Sequence, residues 1–236
     1  MHSARLRAAA APHTGAWLQA LPSPSLGLHL DSATIRIAVG LRLGSKTCEP
    51  HKCRCGAFVN NLGHHGLSCK YSSGRLPRHS QLNDVVKRSL NAAGIPSWLE
   101  PVGLDRGDGK RPDGLTAYPF TAGKHLCWDS TCVDTFSRSA INESAIQAGS
   151  AADKAEERKR NLYSTLQSTY RFEPLAIETT GVYGKSSIKF IAELGRRISA
   201  VTGEKRETQW LRQRLSVAVM KGNSASILAT GCPEPE

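Results

Sequence analysis

The chain has 236 residues, with 31 Lys+Arg against 20 Asp+Glu and a formal charge of +11, a length for one ordinary domain with a small appendage or for two small domains. No apolar run approaches the roughly 18 residues a spanning helix needs, so a transmembrane protein is excluded and no membrane partner is expected. The seven cysteines are odd in number, and Cys48, Cys53, Cys55 and Cys69 crowd beside His51, His64 and His65, which reads as metal binding in a reducing compartment rather than as a disulfide framework.

Residues 1–44 read as a linker or the tail of an upstream region, rich in Ala, Pro and Ser, with one apolar piece at Trp17–Pro22 and a weak helix-or-strand signal over Ser32–Leu43. Residues 45–75 hold the Cys/His cluster, and Arg75–His79 reads as a basic entry loop. From Ser80, Leu82, Val85, Val86, Leu90 and Ala93 recur at helical spacing until Gly94 and Pro96 stop them. Trp98–Val102 predicts a short strand, Asp105–Lys110 a turn, Pro112–Tyr118 a strand and Lys124–Thr135 a stronger one. Ala151–Tyr170 predicts a long polar helix with Leu162, Leu166 and Tyr170 on one face; Phe172–Thr179 predicts a strand and Ser186–Val201 a helix. Glu207–Met220 predicts a last basic helix, followed by a Pro/Gly tail carrying Cys232 that is expected to be disordered. The resulting order, α-β-β-β-α-β-α, is an α/β domain over 76–203, with 204–236 as a basic helix and tail.

Within the cluster the spacing is Cys53-x-Cys55, then His65-x3-Cys69, with His64 as an alternative to His65 and Cys48 and His51 as spare donors. Zinc takes four thiolate or imidazole ligands in a tetrahedron, and two close pairs joined by a short loop can wrap one ion. The expectation is a structural CCHC-type zinc knuckle.

Charge along the chain is uneven. Residues 42–88 hold nine Lys/Arg and two acids, residues 185–221 nine and three, and between them residues 99–135 hold four bases and six acids. Basic flanks around an acidic centre suit a protein that grips phosphates and places a cation in the middle. Asp113 precedes one predicted strand and Asp129 lies in the next, so paired strands bring both carboxylates together, a suitable seat for Mg²⁺ or Mn²⁺. Glu100 is a candidate third ligand and Asp134 an alternative. On the following helix Lys159 and Tyr163 share a face at i, i+4.

The succession of zinc knuckle, Arg111-Pro112-Asp113, Asp129 and Lys159-x3-Tyr163 resembles the carboxy-terminal region of non-LTR retrotransposon polyproteins. That region carries a restriction-like endonuclease of the PD-(D/E)XK class. Trp17–Pro22 (WLQALP) is similar to a short motif upstream of the knuckle in those proteins. The resemblance implies a restriction-endonuclease-like core (α-β-β-β-α-β) with Asp113 and Asp129 as metal-binding carboxylates. It also implies Lys159 as a lysine moved from strand to helix, with Tyr163 as its partner. In the wider class that lysine stands two residues after the second acid, where this chain has Thr131; Lys154 is the other candidate. No Tyr-x-Asp-Asp polymerase motif is present, so the chain reads as a piece separated from a reverse transcriptase. Two functions follow as expectations. One is a nuclear, metal-dependent nuclease that nicks target DNA to prime reverse transcription, with element RNA as a further partner. The other is a non-catalytic zinc-containing nucleic-acid-binding module, cytoplasmic if unassembled.

Overall fold

The computed structural model describes residues 1–104 and 109–231, so most of the expected 105–110 turn and the tail with Cys232 lie outside the described residues. In chain order the elements are α1 (His2–Ala10), a 3-10 turn (Ala16–Gln19), α2 (Ser32–Leu43), the hairpin β1 (His51–Lys52) and β2 (Phe58–Val59), α3 (His64–Ser68) and α4 (Arg75–Ala92). Then come β3 (Ser97–Leu99), β4 (Gly114–Thr121), β5 (Lys124–Val133), α5 (Ile141–Ser144), α6 (Ser150–Leu162), a second 3-10 turn (Ser164–Ser168), β6 (Arg171–Glu178), α7 (Lys185–Thr202) and α8 (Glu207–Leu228). The molecule is thus mixed α/β, and among the described residues no helix is long and apolar enough to cross a membrane.

The main sheet runs β3-β4-β5-β6, the first three antiparallel and β6 parallel to β5. Alternation of side chains along the strands sends Leu126, Trp128, Leu175 and Ile177 to one face. There they meet Leu82, Val86 and Leu90 of α4, Phe190, Ile191 and Leu194 of α7, and Leu211 and Leu215 of α8. The other face carries Cys127, Asp129 and Ala176 and is covered by α6, whose Ala152 and Ala155 sit on Ala176. A parallel strand at the end of a sheet exposes backbone groups that need partners. On β6 these are met by Ser187 Oγ, which accepts from Ala176 N at 2.8 Å, and by Gly184 N, which donates to Ala176 O at 3.0 Å.

Several elements differ from the sequence expectation for identifiable reasons. Arg75–His79 is the first turn of α4, where Pro77 is tolerated because the first helical N–H groups have no partner inside the helix. The strand from Trp98 stops at Leu99 because Glu100 takes a left-handed conformation (φ 49°). The long helix ends at Leu162, which stays exposed, and the chain tightens into a 3-10 turn. Residues 1–44 are packed structure rather than a linker. Trp17 is buried in the main core, Gln213 Nε2 donates to Gln19 O, and Lys221 Nζ donates to Gly27 O.

The last helix runs past its expected end at Met220 and is packed inside the molecule. α8 reaches Leu228 and packs against α2, α3, α4 and α7, so it joins the knuckle to the sheet domain. Small residues make these approaches possible: a Cβ on Gly66 would lie 2.8 Å from Ile227 Cα, and one on Gly222 would lie 2.4 Å from Arg78 Cβ.

Candidate metal and acid sites

The hairpin and α3 bring Cys53, Cys55, His65 and Cys69 together, with one ligand atom from each within 4.8 Å of the others. Cys53 N donates to Ala57 O, Gly56 N turns back to Cys53 O, and Gly56 adopts φ +88°, which lets the chain fold the two thiols inward. Cys53 Sγ and Cys69 Sγ are 3.8 Å apart, and Cys55 Sγ and His65 Nε2 3.2 Å. Three thiols and an imidazole in this arrangement can hold one zinc ion with no position left open. The spare donors are engaged elsewhere. His64 stacks on Phe136 with ring centroids 4.0 Å apart, and burial pushes its pKa down to about 4. His51 Nε2 lies 2.8 Å from Thr230 Oγ1, and the Cys48 thiol donates to Asn60 O.

A second constellation forms where β4 begins beside β5. Asp113 N donates to Trp128 O at 3.0 Å, continuing the Gly114↔Trp128 register by one step, so Asp113 stands across from Asp129. Trp128 lies over Gly114, where a Cβ would come within 2.1 Å of its ring. Asp113 Oδ2 accepts from Ser130 N at 2.6 Å, and Oδ1 lies 2.9 Å from His79 Nε2. Asp129 Oδ1 is 2.6 Å from Lys159 Nζ, which reaches down from α6. Tyr163 hydrogen-bonds the same carboxyl and packs its ring on Phe172, with centroids 4.9 Å apart.

Electrostatics follow from this geometry. Burial, then the charge of Asp113, raises the Asp129 pKa, and Lys159 and Tyr163 oppose the rise. The hydrogen bond from His79 to the Asp113 carboxylate holds the His79 pKa above its ordinary value against desolvation. Burial, reinforced by the two aspartates, pushes the Cys127 thiol up to about 12, so it is a packing residue at neutral pH. A cation bound at the Asp113/Asp129 pair would relieve the repulsion between the two carboxylates, and hard oxygen donors are of the kind Mg²⁺ takes. Among the described residues no third His, Cys, Asp or Glu converges with both of them. Mg²⁺ commonly binds through one or two carboxylates and keeps water for its remaining positions.

The other expected site residues stand apart. Glu100 is joined to Asp113 through its backbone, Glu100 N donating to Asp113 O at 2.8 Å, but its exposed carboxylate pairs with Arg111. Asp134 accepts from Phe136 N and Thr179 Oγ1 beyond the end of β5. Lys154 pairs on the surface with Glu143. His79 and Asn83 join the site at i, i+4 on one helix, with Asp113 and Trp128 as partners; the sequence carries no signal for this, because Pro77 makes the segment around His79 read as a loop.

Neither a protein-family model nor a curated protein matches the chain.

Proposed function

We propose that the chain is a metal-dependent DNA endonuclease of the restriction-like class, acting as part of a non-LTR retrotransposon polyprotein. One observation carries this reading. Asp113, just before β4, stands across from Asp129 on β5, and Asp129 meets Lys159 of α6, the helix that crosses from β5 to β6, and Tyr163 just past its end. The order α4-β3-β4-β5-α6-β6, with three antiparallel strands and a fourth parallel to the third, supports a restriction-like core.

Asp113 and Asp129 would hold a divalent ion, which would supply charge neutralisation at the phosphate and a water of lowered pKa. Lys159 favours the ionised form of Asp129 and has N–H groups left to orient the attacking water or to meet charge building on the phosphate. Tyr163 fixes the Asp129 carboxyl from the buried side. The two basic segments grip the duplex through its phosphates, and the zinc knuckle, with exposed Phe58 and Tyr71, helps position it. The nick frees a 3′-hydroxyl for the reverse transcriptase in the nucleus, with element RNA as a further partner.

A non-catalytic binding module is the second reading, favoured by Thr131 at the usual lysine position and by a carboxylate pair with no third protein ligand among the described residues. Nicking of supercoiled plasmid with Mg²⁺ or Mn²⁺ separates the two. Cutting by the wild type and none by Asp113→Ala/Asp129→Ala is the expected result. A folded, zinc-loaded wild type that binds DNA in a salt-dependent way but never cuts it overturns the nuclease reading in favour of the module.

A further inference from the structure

We propose that His79 is a positioning residue for the Asp113 carboxylate, a role that rests on the nuclease reading above. Asp113 is held at two points, His79 Nε2 at 2.9 Å from Oδ1 and Ser130 N at 2.6 Å from Oδ2. Two donors on two oxygens fix the plane of the carboxylate, while an ionised carboxylate offers about four lone-pair sites. Each oxygen therefore keeps acceptor capacity for a cation, in an orientation the chain has already set. Groups of this kind, which touch a ligand rather than the metal, change metal affinity or activity by about 10–100-fold when removed.

With its Nε2–H given to Asp113, His79 cannot also accept from Asn83 Nδ2, 3.2 Å away; Asn83, one turn further along α4, instead accepts from Trp128 Nε1 at 3.3 Å. Trp128 directly precedes Asp129, so the same turn of α4 contacts the segments carrying both acids. The preceding residue, Arg78, is buried and faces the other way. Its guanidinium donates to Leu67 O in α3 at 3.2 Å and to Asn223 Oδ1 in α8 at 2.7 Å. Leu67 lies between the zinc ligands His65 and Cys69. Adjacent residues of α4 thus grip the knuckle with one side chain and the acid pair with the other, so the position of His79 over Asp113 is built from the knuckle outward.

The His79 side chain is 40% exposed, so its truncation leaves the core intact. Mn²⁺ binding to the zinc-loaded full chain is followed by electron paramagnetic resonance, with plasmid nicking measured on the same samples and Asp113→Ala as the control that loses the Mn²⁺ site. His79→Ala is expected to weaken Mn²⁺ binding and lower kcat, each by about 10–100-fold, with DNA affinity unchanged within about twofold. His79→Gln, whose side-chain amide can donate to Oδ1, is expected to restore most of both. Wild type and His79→Ala that bind Mn²⁺ equally well overturn the positioning role and leave the nuclease reading standing. A wild type that binds no Mn²⁺ through Asp113 overturns the nuclease reading, and this role with it.

Discussion

Lys159 Nζ lies 2.6 Å from Asp129 Oδ1 and ties α6 to the middle of β5, where only 3% of the Asp129 side chain is exposed. Even with that ammonium in place, burial and the charge of Asp113 hold the Asp129 pKa above its ordinary value. Removing one partner of a buried pair typically costs about 3–5 kcal/mol, because the remaining charge is left uncompensated.

Lys159→Met is therefore expected to lower unfolding free energy by about 3 kcal/mol and to abolish nicking. Adding Asp129→Asn should restore most of the stability but none of the cutting. Lys154→Met breaks only the exposed pair with Glu143, so its stability should change by less than about 1 kcal/mol, with cutting unaffected. Urea unfolding and plasmid nicking of the four proteins check this. Equal losses from the two lysine substitutions would remove the special role of Lys159.

The knuckle discriminates between adjacent histidines. His65→Ala and Cys69→Ser are expected to lose stoichiometric zinc and to melt well below the wild type, since binding free energy at such a site is folding free energy. His64→Phe keeps the stack on Phe136 and should retain one zinc per chain; Cys48→Ser should do the same. Elemental analysis of dialysed protein, paired with thermal melts, distinguishes the sets. Zinc loss in His64→Phe with retention in His65→Ala would reverse the ligand assignment.

Much of this arrangement is readable from the residues alone, and the failures have physical causes. Spacing narrows the ligands to two close pairs with a turn between them but leaves His64 beside His65; the stack of His64 on Phe136 separates the two. The strands carrying Asp113 and Asp129 emerge from alternation and the Pro/Gly turn that joins them. His79 does not, because Pro77 reads as a break when it stands in the first turn of a helix. α8 reads as a basic surface helix through Arg212, Arg214 and Lys221, yet its Leu215–Met220 stretch is buried. A helix enclosed by α2, α3, α4 and α7 shows no one-sided periodicity to mark its contacts. The N-terminal segment is similar: Ala-rich and Pro-rich composition suggests a linker, whereas Trp17 anchors it in the core.

Gly74 tests whether α8 holds the knuckle against the sheet domain. A Cβ there would lie 2.3 Å from Ser226 N and 2.7 Å from Ala225 C, both α8 backbone atoms that cannot swing aside. Gly74→Ala is expected to destabilise by about 1–3 kcal/mol through overpacking, read as a lower urea midpoint. Gly94→Ala meets no atom within 4 Å and serves as a comparison: its cost comes only from the positive φ of +72°. A wild-type midpoint for Gly74→Ala would mean that α8 and the start of α4 are not packed together.

Glu178 gives a pH dependence with a definite sign. Its carboxylate accepts from Ala151 N and Ala152 N at the start of α6 and from Thr135 Oγ1, yet burial still raises its pKa above the ordinary value. Between the unfolded and native pKa values the native state holds a proton that the unfolded state has lost. Stability therefore falls as pH rises through that window and is flat above it. Glu178→Gln carries no titrating proton, while its amide oxygen can keep the backbone N–H groups and its nitrogen can face the threonine hydroxyls as the protonated acid does. The variant is expected to lack the part of the decline that begins near the ordinary carboxylate range, so that its stability relative to wild type increases from pH 4 to pH 7. Urea unfolding at intervals across that range measures the difference. A difference that stays constant would mean that Glu178 has the same pKa folded and unfolded, its hydrogen bonds offsetting the whole cost of burial.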